Sequence, residues 1–148
     1  ERGFPCALAE ISDWYIFGKA EYNIKISISD AKRARERAAG CGHAKARFDL
    51  SRHYIEKKHG GYCRKGKADV QKAIQIMELA GEEGYGESYA RLGDIFQYGN
   101  YGKEQHMSIA MNYYQMGFKK NKKNVDSWYG MGLFYIDIMQ RTEENIKS

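Results

Sequence analysis

His53, His59 and Cys63 stand close enough in the chain to raise the question of a metal site. Their spacing, H-x5-H-x3-C, is not that of a standard zinc site, and no fourth ligand is evident. They read as loop and surface residues, and no metal is expected. Gly81-Glu82-Glu83-Gly84-Tyr85-Gly86 has the glycine content of a phosphate loop. It follows a helical pattern rather than a strand, however, and carries two carboxylates that would repel phosphate. A helix end and turn is the better reading. Glu82-Glu83 and Glu143-Glu144 are adjacent acids. General acid–base catalysis needs carboxyl groups that converge on one substrate, which neighbours in sequence do not do. No Ser-His-Asp or Cys-His arrangement can be argued from spacing alone. The residues therefore predict a binding protein rather than an enzyme, with no catalytic residues, no cofactor and no small-molecule substrate.

The informative pattern is a repeat. The central stretch, Gly84–Gly99, places Ser88, Leu92 and Phe96 one helical turn apart, with Gly93 beside them. The same order recurs: a large apolar residue, then Ser or Gly, then an aromatic three positions on. It appears as Ile11-Ser12 with Tyr15, Leu50-Ser51 with Tyr54, Leu92-Gly93 with Phe96, and Met131-Gly132 with Tyr135. The aromatics are 39, 42 and 39 residues apart, the period of two-helix solenoid repeats. Between them, 28–40, 68–83 and 106–118 carry apolar residues at period 3.6, as second helices would. Glycine clusters at 60–61, 84–86 and 99–102 mark the turns. Thr142 followed by Glu143 and Glu144 predicts an N-cap and a new helix near the end.

Composition sets the frame. The 148 residues suffice for one domain with a real core. No apolar run approaches the roughly 20 residues of a membrane span. The chain begins at Glu1, so a signal removed earlier is compatible with it, and either a cytoplasmic or a periplasmic or secreted soluble protein is expected. The 24 basic residues against 19 acidic give a net charge of +5, concentrated at 32–37, 57–67 and 119–123. Such clusters read first as solvated faces and secondly as attractants for anionic partners. Cys6, Cys41 and Cys63 fit either one disulfide plus a thiol or three thiols.

Gly42-His43-Ala44-Lys45-Ala46 with Leu50, Ser51 and Tyr54, continued by Asp69-Val70-Gln71-Lys72-Ala73, resembles the SEL-one-like repeats, a branch of the tetratricopeptide superfamily. So does Gly84 with Ser88, Leu92, Gly93, Phe96 and Gly99, followed by Ala110, Tyr113 and Tyr114. The first and last copies are weaker, with Ile11-Ser12 in place of Leu-Gly and Lys123 where glycine is expected. The resemblance spans nearly the whole chain. It implies an all-α, right-handed α-solenoid of antiparallel helix pairs, with repeats near 5–43, 44–85, 86–124 and an incomplete 125–148. It also implies a scaffold or adaptor, in versions that include toxin neutralisation (immunity proteins) and secretion.

In such a solenoid the first helices line the concave side. Residues that the repeat pattern leaves unused should face it. They are Glu10, Asp13 and Phe17 in the first copy, Phe48, Arg52 and Glu56 in the second, Arg91, Asp94, Gln97 and Tyr98 in the third, and Tyr129, Leu133 and Asp137 in the fourth. A partner protein, as a peptide or a folded domain, is expected in this groove. The alternative is a single-stranded nucleic acid, which the groove acids Glu10, Asp13, Glu56, Asp94 and Asp137 would oppose.

Overall fold

The computed structural model describes residues 3–55 and 69–147. Seven α-helices occupy them: α1 (Gly3–Phe17), α2 (Ile28–Gly40), α3 (Ala44–Ile55), α4 (Val70–Glu82), α5 (Gly86–Tyr98), α6 (Met107–Lys120) and α7 (Val125–Lys147). The pairs α1–α2, α3–α4 and α5–α6 pack against each other, and the described residues form no strand beyond an isolated bridge between Lys19 and Ile24. The predicted helical repeat is present, in three helix pairs followed by a fourth first-type helix.

One backbone contact verifies the register of the repeat. The residue that opens each second helix donates its N–H to the carbonyl of the repeat aromatic. These bonds are Ser27 to Tyr15 at 2.8 Å, Asp69 to Tyr54 at 3.1 Å and His106 to Phe96 at 2.8 Å. Two of these openers also cap: Ser27 accepts from Asp30 N–H, and Asp69 from Lys72 N–H. The small residues Ser12, Ser51 and Gly93 are all buried, as close helix crossing requires.

The chain divides into two compact units, 1–83 and 84–148. In the first, α2 turns its alanines inward, and Ala31, Ala34, Ala38 and Ala39 are buried. Leu8, Ala38 and Ala46 form a core cluster joining α1, α2 and α3. Arg47 on α3 ties this unit together: its guanidinium donates to both carboxylate oxygens of Glu83 at 2.7 Å and to the Ala39 carbonyl at 2.8 Å. Paired N–H donors matched to a carboxylate are among the stronger polar contacts available. Cys6 and Cys41 are exposed free thiols.

In the second unit α5 is central, packing on both α6 and α7. Tyr114 of α6 is fully buried. A Cβ at Gly93 on α5 would come within 2.4 Å of its ring, and one at Gly130 on α7 within 2.3 Å. Both helices therefore reach the ring through glycine. Tyr113 stacks beside Tyr89 and Phe96 with centroids 6.3 and 5.7 Å away.

The fourth copy departs from the repeat in three places. Tyr135, its repeat aromatic, is exposed. Gly132, its small residue, has nothing within 4 Å of where a Cβ would lie. Thr142 opens no helix: α7 runs through it to Lys147, and its hydroxyl donates to the Ile138 carbonyl one turn back at 2.8 Å. The shared reason is that no second helix follows α7 among the described residues.

Candidate binding site

Arg91, Asp94 and Tyr98 lie at i, i+3 and i+7 on α5, and Asp126, Tyr129, Gly130 and Leu133 follow a similar spacing on α7. Those spacings put each set on one helical face. The two faces meet at an open pocket of about 260 Å³, lined by these residues and Asn100. That is below the roughly 300–1,000 Å³ of pockets that enclose small molecules. Tyr98 and Tyr129 are 52% and 67% exposed at its rim.

The turn after α5 holds the pocket's cation in place. Gly99 ends the helix in the left-handed region at φ 65°. A Cβ there would meet the Lys103 carbonyl at 2.9 Å, so glycine is required for space as well as conformation. Tyr101 is also left-handed, at φ 59°, and its hydroxyl accepts from Arg91 Nη2 at 3.0 Å. Asn100 reaches back to the Asp94 carbonyl.

The floor is polar and buried. The Tyr114 hydroxyl lies 2.8 Å from Asp94 Oδ1 and 2.7 Å from Gln97 Oε1. It has one proton for two acceptors. With the Gln97 amide turned so that its NH2 donates to the phenol oxygen, the relay from Gln97 through Tyr114 to Asp94 satisfies all three groups. Burial raises the pKa of the Asp94 carboxyl above 3.8. The Tyr114 hydrogen bond and Arg91 oppose that rise, while Asp126 adds to it. Burial, then the bond to Asp94, holds the Tyr114 phenol far above its usual value of 10. Tyr98 is shifted upward by burial first, then by Asp94 and Tyr129.

Of the residues expected in the groove, Arg91, Asp94, Tyr98, Tyr129 and Leu133 come together here. Gln97 does not face a partner: it is buried against Tyr114 and belongs to the floor. Helical spacing alone left that position ambiguous, because it borders both the pocket face and the α6 face. Glu10, Asp13, Phe48 and Arg52 lie on α1 and α3 in the other unit. Glu10 and Arg52 are exposed and Phe48 is half-buried. Asp13 accepts from the buried Arg35 of α2 at 2.7 Å, so it serves the α1–α2 crossing. Glu56 is outside the described residues, as are His59, Cys63, the side chain of His53 and the basic stretch 57–67. Asp126 and Gly130 were missed in the sequence although they share a helical face with Tyr129 and Leu133. Asn100 is placed by the Gly99 turn, which periodicity does not reveal.

Two solved structures share this fold. A Sel1 repeat protein from Oxalobacter formigenes is 24% identical, with a TM-score of 0.66 over 81% of this chain and 45% of that one. A protective antigen present in uropathogenic Escherichia coli strains, displaying an SLR fold, is 16% identical, with a TM-score of 0.70 over 92% of this chain and 27% of that one. The chain thus spans less than half the length of either. No family model matches it, and no curated protein sequence does. The likenesses establish an all-α helical-repeat fold of the SLR type. No helix among the described residues is long and apolar enough to cross a membrane.

Proposed function

We propose that this chain is a protein-binding scaffold and that the α5–α7 pocket is a contact site for its partner. The observation that carries this reading is the pocket's make-up: two exposed tyrosines around an arginine and two aspartates, all on helices fixed by a buried tyrosine. Tyrosine and arginine are the residue types that most often dominate interface energetics. A rigid helix presents them at little entropic cost on binding. Asp94 and Asp126 disfavour a phosphate backbone here, so a polypeptide is the better guest than nucleic acid.

The test is capture from the native source, with the partner identified by mass spectrometry and its affinity measured. Arg91→Ala and Tyr98→Ala are each expected to weaken binding by about 2 kcal/mol. Gln115→Ala, exposed on α6, should leave it unchanged. Equal affinity across the three variants would remove the pocket from consideration. A loss of affinity as steep in salt as counterion release produces would identify nucleic acid instead. The partner's identity separates toxin neutralisation from a secretion-linked role.

A further inference from the structure

The charge of the α5–α7 pocket runs against that of the chain. The sequence carries a net charge of +5, yet the charged residues lining the pocket are two aspartates and one arginine, a balance of −1. The arginine is held: Arg91 Nη2 donates to the Tyr101 hydroxyl at 3.0 Å. The carboxylates have no cation paired with them. Asp94 Oδ1 takes the Tyr114 hydroxyl at 2.8 Å, and among the described residues neither Asp94 nor Asp126 forms an ion pair. In the first unit the equivalent carboxylate, Asp13, has a cation of its own, Arg35 of α2 at 2.7 Å. The third copy brings a neutral tyrosine to Asp94 instead.

We infer that the pocket receives a basic side chain, lysine or arginine, from the partner protein, on the footing that the pocket is the partner's contact site. Asp94 stands on α5 and Asp126 on α7, the two walls of the pocket, so a cation between them is offered a carboxylate from each. Burial first, and Asp126 after it, push the Asp94 pKa upward from 3.8. A cation alongside offsets both, because it favours the charged carboxyl. Tyr98 and Tyr129, exposed at the rim on the same two helices, add rings that attract ammonium and guanidinium groups and hydroxyls that accept their N–H bonds. Arg91 then serves acceptors beside the guest on the partner's surface, as a guanidinium with several donors can while one is held by Tyr101.

Other guests fit worse. An acidic side chain would face two carboxylates against one arginine. An apolar one would cover Asp94 and Asp126 without giving them a partner. A divalent cation needs a fuller set of oxygen ligands, and no group of three or more His, Cys, Asp or Glu is assembled among the described residues. Asp126 also lies in the first turn of α7, where an acid suits the helix dipole, so its substitution is read for stability as well as for binding.

The experiment titrates the isotope-labelled chain with four capped tripeptides, Ac-Gly-X-Gly-NH2, in which X is lysine, arginine, norleucine or glutamate. The amide resonances of Asp94, Asp126 and Gly130 are followed by NMR. The lysine and arginine peptides are expected to bind at least about fivefold more tightly than the other two. The chain's own +5 charge opposes non-specific attraction of a basic peptide. Asp126→Asn should weaken the lysine peptide by about threefold to fivefold with the melting temperature nearly unchanged, and adding Asp94→Asn should remove the preference for a cation. No binding by the basic peptides, equal binding by the norleucine or glutamate peptide, or an undiminished preference in the double variant would overturn the inference. The contact itself is judged separately, by Tyr98→Ala and the captured partner. If that variant weakens the captured partner while the peptides show no preference for a cation, the pocket remains the contact and only its assignment to a basic guest falls.

Discussion

α5 and α7 are the same helix of the repeat in two situations, and the difference between them shows what a repeat residue does. On α5 the seam residue Gly93 receives Tyr114, and the helix stops at Gly99 so that the chain can return as α6. On α7 Gly132 has the same place in the pattern and receives nothing, and the helix runs on past Ile138. Sequence pattern thus fixes which face is prepared for a neighbour, while the neighbour decides whether that face becomes core.

The α1–α2 and α5–α6 crossings extend the comparison. Asp13 and Asp94 hold the same position in the repeat, directly after the small residue. Each accepts from a buried group on the second helix, Arg35 at 2.7 Å in one and the Tyr114 hydroxyl at 2.8 Å in the other. In these two copies the position accepts the donor that the second helix brings, charged in one and neutral in the other, whereas Arg52 holds it in the second copy. Leu133 at the same place in α7 abandons that role.

The largest contrast is expected from the aromatics. Tyr114→Ala should destabilise the second unit by about 3–5 kcal/mol, the cost of emptying a large aromatic site in a core. Tyr135→Ala, at an exposed position, should stay within about 0.5 kcal/mol. Denaturant titration of both variants measures this, and comparable losses would erase the distinction between the helices. Next is the glycine pair. Gly93→Leu forces a side chain into the Tyr114 ring and should cost about 1–3 kcal/mol. Gly132→Leu fills open space and removes a helix-interior glycine, so it should be neutral or stabilise by up to about 1 kcal/mol. Thermal melts should move in opposite directions.

The smallest effect concerns Asp94 against its apolar counterpart. Its folded pKa is raised above 3.8, so the native state holds this proton more tightly than the unfolded chain does. That contribution favours folding at low pH and is lost as pH rises from the unfolded value through the raised folded one. Asp94→Asn should flatten stability against pH in that window, as read from melts between pH 3 and neutrality. An unchanged profile would show that the Tyr114 bond and Arg91 cancel the effect of burial.

Much of this was legible in the residues. The period between Tyr15, Tyr54, Phe96 and Tyr135 gave the helix pairs, because a helix that cannot bury its own apolar stripe must repeat the stripe for its neighbour. Spacing on α5 gave Arg91, Asp94 and Tyr98 as one face, because i, i+3 and i+7 adjoin on any helix. Gln97 was misplaced because the arc between pocket and core is settled by where Tyr114 inserts, and that residue lies on another helix.

The sequence by itself determined the three helix pairs, their register and the pairing of first with second helices, though not the course of α7 past Thr142, since periodicity, caps and glycine turns act over neighbouring residues. Only the tertiary structure decided that Asp13 pairs with Arg35, that Asp94 and Gln97 share the Tyr114 hydroxyl, that Asp126 and Asn100 join Arg91 at one pocket, and that Gly132 lies bare. Each of those depends on side chains brought together from different helices. Helical periodicity says which way a residue points along its own axis, but not what stands opposite.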